Sequence, residues 1–293
     1  MTTTPASPRA DSVDSAHSAA EAFLRDFHNR LPGRQSVNME GAPSADCRTG
    51  YQLLAAEVSG ARRVLDLGCA DGALLEVLAA AGAEELAGID LSEAELAFAR
   101  RRPALARADL RQGRAQQLPF TDDSFDAVVS HMALMLMNDV EQVAAEASRV
   151  LAPGGRLAVA VGGGSVKGEA MGLFLEIAAP YFSAVPPERS LPRLGDRRTR
   201  TREGLDELLT PAGFEPVSWT TVVIDMGGAP EQVWESLTDA FYDLAALDEN
   251  QTARLRAEFL TAAPSLLDTT GHLPAGMHLN IATTRLRPQA DVG

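Results

Sequence analysis

The chain has 293 residues, of which 45% are apolar and 23% charged, with a formal net charge of −14. That length suits one α/β domain with a helical addition, and the apolar share is enough for a sizeable core. The acid excess, 40 Asp and Glu against 26 Lys and Arg, sets an average field that repels nucleic acid and anionic membrane surfaces.

Residues 1–16, rich in Thr, Ser, Pro and Ala, read as a flexible arm without the apolar stretch of a signal peptide. A first helix is expected over 17–30, with Phe23, Leu24 and Phe27 as its apolar stripe, and Leu31-Pro32-Gly33 ends it. A second helix is expected over 45–58. From 62 the pattern alternates. Strands are expected at 62–67, 85–90, 108–113, 124–132 and 156–162, with helices at 72–82, 92–102 and 138–151 between them. Such alternation means βαβ units and a buried parallel sheet. After Gly162 the rhythm changes. Helices are expected at 171–182, 202–209, 230–245 and 250–262, and strands at 212–224 and 277–286. The implied organisation is the arm, N-terminal helices over 17–60, a core over 61–162, a cap insertion over 163–200, and the rest of the core sheet with its helices over 201–293. No run of about 18 apolar residues occurs, and the two cysteines, Cys47 and Cys69, make no disulfide framework or zinc spacing. A cytoplasmic protein with no membrane partner is expected.

The strongest signal is Val64-Leu65-Asp66-Leu67-Gly68-Cys69-Ala70-Asp71-Gly72. A buried strand ends at Leu67, Gly68 permits a tight turn, and Gly72 opens the next helix. A ligand can then approach the backbone at the strand's carboxyl end. Asp66 is placed to accept from a cationic amine, and Asp90, at the end of the second strand, to take both hydroxyls of a ribose. A nicotinamide dinucleotide would need G-x-G-x-x-G; here the middle glycine is absent and the spacing differs.

These residues resemble motif I of class I S-adenosylmethionine-dependent methyltransferases, with Ala70 in place of a glycine. Residues 88–96 resemble the family's acidic loop, 113–134 its adenine-side loop and fourth strand, and 149–159 its Pro-Gly-Gly turn; 212–219 resemble the start of the sixth strand. The resemblance implies a Rossmann-like, doubly wound α/β sheet of seven strands, the last antiparallel, with a helical cap. It implies S-adenosyl-L-methionine as cofactor and a small molecule as methyl acceptor. The expected cofactor contacts are Asp66, Gly68, Cys69 (through its backbone), Ala70, Gly72, Asp90, Leu91, Ala115, Gln116 and Ser130. Where the family's loop carries an acid, this chain has Arg114, so the Ala115 backbone and Gln116 are expected to meet the adenine.

His131 follows the fourth strand, as a base or as a histidine bonded to backbone. Met132, Met135 and Met137 form an acceptor wall or ordinary core. Phe174, Tyr181 and Phe182 cover the acceptor or pack the cap helix. Arg193, Arg197, Arg198, Arg200 and Arg202 clamp an anionic group or form a solvated face. Two rivals keep the fold and cofactor: chemistry other than methyl transfer, such as cyclisation, and a non-catalytic binding module.

Overall fold

The alternation resolves into seven strands in the computed structural model, which describes residues 8–288, with side chains from His17 on. They are β1 (Arg63–Leu67), β2 (Glu85–Asp90), β3 (Asp109–Gln112), β4 (Phe125–His131), β5 (Leu151–Ser165), β6 (Ser218–Asp225) and β7 (Gly276–Arg285). The sheet order is β3-β2-β1-β4-β5-β7-β6, and β7 runs antiparallel to both neighbours. Successive strand residues face opposite sides. On β5, Leu157 and Val159 enter one apolar cluster while Ala158 and Ala160 enter the other. Helices on both faces cover these clusters, which explains the nearly continuous apolar runs of the central strands.

The helices are α1 (Pro8–Arg30), α2 (Arg34–Glu40), α3 (Gly50–Glu57), α4 (Ala73–Ala80), α5 (Glu93–Ala99), α6 (Val140–Val150), α7 (Ala170–Ser183), α8 (Arg202–Leu209), α9 (Pro230–Ala240) and α10 (Glu249–Ala262). Side-chain caps start several of them. Ser92 accepts from Glu95 N at α5, Thr201 from Gly204 N at α8, and Thr49 with Gln52, and Asp248 with Gln251, make capping boxes at α3 and α10.

Two expectations are corrected here. The first helix begins at Pro8, so only residues 1–7 of the expected arm remain, and these lie outside the described residues. The single helix expected over 45–58 is instead α3, and a separate helix, α2, precedes it; Pro43–Thr49 is a bridged turn that keeps the Thr49 side chain for the cap.

Candidate active site

Strand order reverses between β1 and β4, and the crevice at their carboxyl ends is where an open α/β sheet takes its ligand. The turn after β1 has Gly68 at φ 73° and Ala70 at φ 45°. A side chain at Gly68 would overlap the Cβ of Ala133, so the turn fits closely against the segment that leaves β4. Gly68 N and Cys69 N both donate to Ile89 O, at 2.9 and 3.1 Å, which ties the turn to the end of β2.

Around this turn lie two cavity halves whose linings share His28, Gly68, Asp90, Ala133 and Leu136. In the first, Asp90 Oδ2 accepts from Ala70 N at 2.9 Å and Oδ1 from Ser92 N at 2.8 Å. Each oxygen keeps a lone pair for a further donor, and a ribose diol supplies two. Burial raises the Asp90 carboxyl above the ordinary range, against the pull of those N–H donors. Leu91, Ala115 and Gln116 line the same half. Gln116 Nε2 donates to Asn138 O at 2.6 Å.

Arg114 also lines this half, turned toward α1, with Nε and Nη2 donating to Glu21 Oε1 at 2.9 and 2.6 Å. Glu21 itself lines the cavity, and its Oε2 has no partner among the described residues. An α1 carboxylate therefore lines the cavity beside Arg114. No sequence signal pointed to it, because 93 residues separate Glu21 from Arg114.

The second half holds three buried polar atoms without a hydrogen-bond partner: Asp66 Oδ1, Asp71 Oδ1 and His131 Nε2. Buried polar groups are normally satisfied, so three at one place mark a missing partner. Asp71 is part of the scaffold. Its Oδ2 accepts from Ser36 Oγ at 2.8 Å and from Arg102 Nη2 at 2.5 Å. Asp66 has no such anchor. Burial, with the charge of Asp90 adding to it, pushes its carboxyl well above the ordinary range. A ligand ammonium would relieve that cost. His131 lies with its ring 4.4 Å from that of Tyr51, and burial lowers it to about 4, so it is neutral at pH 7.

Above the halves, His28 of α1 bridges Glu95 Oε1 at 3.2 Å and the Tyr242 hydroxyl at 3.1 Å. With Nδ1–H given to the carboxylate, Nε2 accepts from the phenol. His28 and Tyr242 were missed in the sequence: each sits in a helical or turn segment with no motif around it.

A third cavity lies beyond Met132 and Leu136. Met132, Met135 and Phe182 line it, joined by Met171, Leu175 and Met277.

Four expected contacts have other roles. Ser130 Oγ is fully buried, donating to Leu67 O and accepting from Leu134 N, so it braces β1 against β4 and faces neither half of the crevice. Gly72 caps α4 at φ 81°, where a side chain would meet Leu105 and Ala99. Phe174 is fully buried among Trp234, Phe241 and Phe259. The Tyr181 hydroxyl donates to Glu258 at 2.7 Å, away from the cavity lining. His131 lines the crevice, but the third cavity does not include it.

A doubly wound sheet with a glycine turn after β1, an acid at the end of β2 and an unpartnered acid in β1 defines a Rossmann-like nucleoside-binding fold. Residues 65–159 match the family described as "Methyltransferase domain". A 27-O-demethylrifamycin SV methyltransferase from Amycolatopsis mediterranei is 30% identical over 200 residues, which cover 62% of this chain and 68% of that one. A probable S-adenosylmethionine-dependent methyltransferase from Mycolicibacterium smegmatis is 34% identical over 167 residues, 56% of each chain. The chain spans about half the length of the first curated relatives it matches. Among solved structures, the [4+2]-cyclase SpnF aligns over 99% of this chain and 100% of its own, with a TM-score of 0.52 and 22% identity, a likeness of fold. The chain belongs to the class I S-adenosylmethionine-dependent methyltransferase family, and S-adenosylmethionine is its cofactor.

Proposed function

We propose that the protein transfers a methyl group to an oxygen, nitrogen or carbon atom of a small molecule in secondary metabolism. One observation carries the reading: the crevice and the third cavity share Met132, Leu136 and Tyr242. A donor in one and an acceptor in the other would meet at those three side chains. The names of its relatives, one a rifamycin methyltransferase, support a small-molecule acceptor. The net charge of −14 speaks against a nucleic-acid partner. No helix among the described residues is long and apolar enough to cross a membrane, and both cysteines are free; we place the protein in the cytoplasm.

In this reading Asp66 holds the ammonium of the cofactor's amino acid end, Asp90 the ribose hydroxyls, and Leu91, Ala115 and Gln116 flank the base. The turn at Gly68, Cys69 and Ala70 offers its backbone. Glu21, held by Arg114, supplies the carboxylate that an adenine amino group calls for. His131, a neutral group at the amino acid end, is a cofactor contact; we assign no general base to it. When bound between Asp66, Asp90 and the Gly68 turn, the cofactor would supply an electrophilic methyl group. The protein's part is alignment and exclusion of water by Met132, Leu136 and Tyr242.

Calorimetric titration with S-adenosylmethionine and S-adenosylhomocysteine tests the donor side. Micromolar binding of both is expected. Because SpnF, of like fold, is a cyclase, the acceptor side must be followed by the methyl itself. Transfer of labelled methyl to a small-molecule extract is the expected outcome; product formed without label would overturn the reading.

A further inference from the structure

The wall of the third cavity formed by residues 190–200 is anchored in an unusual way for a surface segment. Gly195, at φ 64°, presses so close that a side chain there would overlap the Met135 carbonyl oxygen. Thr199 is fully buried. Arg198 is saturated with acids: Asp196 and Glu141 accept from its Nη2 at 2.7 and 2.6 Å. The segment is therefore fixed, and the arginines beside these anchors have defined positions.

Those arginines are treated differently. Arg193 and Arg200 line the cavity, and neither has a hydrogen-bond or ion-pair partner among the described residues. Arg193 acts on Asp196 only through its field, and that carboxylate is already held by Arg198. Arg200 is partly desolvated and close enough to Arg197 for the like charge to be felt; both effects work against its protonated form. Arg197 and Arg202 also lack a partner among the described residues, but only Arg193 and Arg200 of this run line the cavity. Asp243 is the one carboxylate in the same lining; like Arg193 and Arg200 it is exposed, and it pairs with neither. The rest of the wall is mainly apolar, with Met132, Met135, Met171, Leu175 and Met277.

Resting on the acceptor reading above, we infer that this cavity takes an amphipathic acceptor with an apolar body and an anionic group, a carboxylate or a phosphate, held by Arg193 and Arg200. Guanidinium groups suit both anions, because their planar donors match paired oxygens. The methionine wall adapts to the shape of an apolar body.

The test uses the full chain and three probes of one chain length: decanoate, decyl phosphate and decanol. Binding is read by titration, with and without saturating S-adenosylhomocysteine. Both anions are expected to bind about ten-fold or more tighter than decanol, with an advantage that shrinks in salt. The carboxylate and phosphate arms show which anion fits. In the R193A/R200A variant the advantage over decanol should vanish, while S-adenosylhomocysteine binds as before and the melting temperature holds; R200K should retain part of it. Equal binding of decanol and the anions overturns the inference, as does an anion preference that survives the double variant, or no anion binding at all. Loss of S-adenosylhomocysteine binding in the native chain would instead sink the cofactor reading, and the arms without it still report on the arginines.

Discussion

Asp66, Asp71 and Asp90 of the crevice come from neighbouring strand ends and one turn, whereas the third cavity draws on Met132, Met171, Arg193, Tyr242 and Met277. The two also differ in electrostatics. The crevice has a buried carboxylate without a cationic partner, and the cavity has two guanidinium groups without a carboxylate partner among the described residues. Each is the half of an ion pair that a ligand would complete. The first half is rigid because β1 and β2 fix it; the second depends on how a surface segment is pinned.

The largest expected effect tests the buried acid. Asp66→Asn should weaken S-adenosylmethionine binding by roughly 3 kcal/mol, on the order of 100-fold, because the ligand ammonium would enter a site without its counter-charge. The same change should stabilise the ligand-free protein. Asp66 has a raised pKa in the folded state, so the folded form binds more protons than the unfolded one above the ordinary carboxylate range. Native stability then falls as pH rises through that raised pKa. The variant should lose this slope in urea melts; weaker binding without gained stability would mean that Asp66 serves the fold. Asp90→Ala comes next. Loss of a charged double contact to a ribose should cost about 2–3 kcal/mol, roughly 30- to 150-fold in affinity by calorimetry. An unchanged affinity would remove Asp90 from the site.

The same contrast governs what the sequence reveals. The succession of strands along the chain could be read because β1, β2, β4 and β5 are apolar runs, while β3 is a weaker, largely exposed strand, and Asp66, Asp90 and the Gly68 turn lie in or just after those runs. Ser130 misled because its position at the end of β4 is right while its hydroxyl is taken by Leu67 and Leu134. Phe174 misled because an aromatic on a helix has the same spacing whether it packs on Trp234 or on a ligand. Glu21, His28 and Tyr242 had no local signal. They reach the crevice only when α1 and the turn after α9 fold over it, a matter of tertiary packing that periodicity does not encode.

Glu21 offers a smaller effect that sharpens the contrast, since it lends a distant segment to the otherwise local crevice. Glu21→Gln should leave Arg114 without its counter-charge and weaken S-adenosylhomocysteine binding by about 5- to 10-fold. If the affinity does not move, the pair merely fastens α1 to the loop, and melting temperature alone should respond.

The smallest effect is expected at His131. Its ring is buried against Tyr51, its pKa is lowered to about 4, and it lies outside the lining of the third cavity. A base with that pKa is a weak acceptor of protons at pH 7, so His131→Gln should change the methyl-transfer rate by less than about five-fold. The rate profile between pH 6 and 8 should keep its shape. Stability should respond more. A histidine held neutral stabilises the fold above its unfolded value of 6.5, and that contribution, at most about 3 kcal/mol, is lost as pH falls from there through about 4. His131→Gln should therefore flatten the acid side of the stability curve, in the sense opposite to Asp66→Asn. A rate loss of 100-fold with a vanished pH limb would restore the base, and would mean that an acceptor reaches past Met132 into the crevice itself.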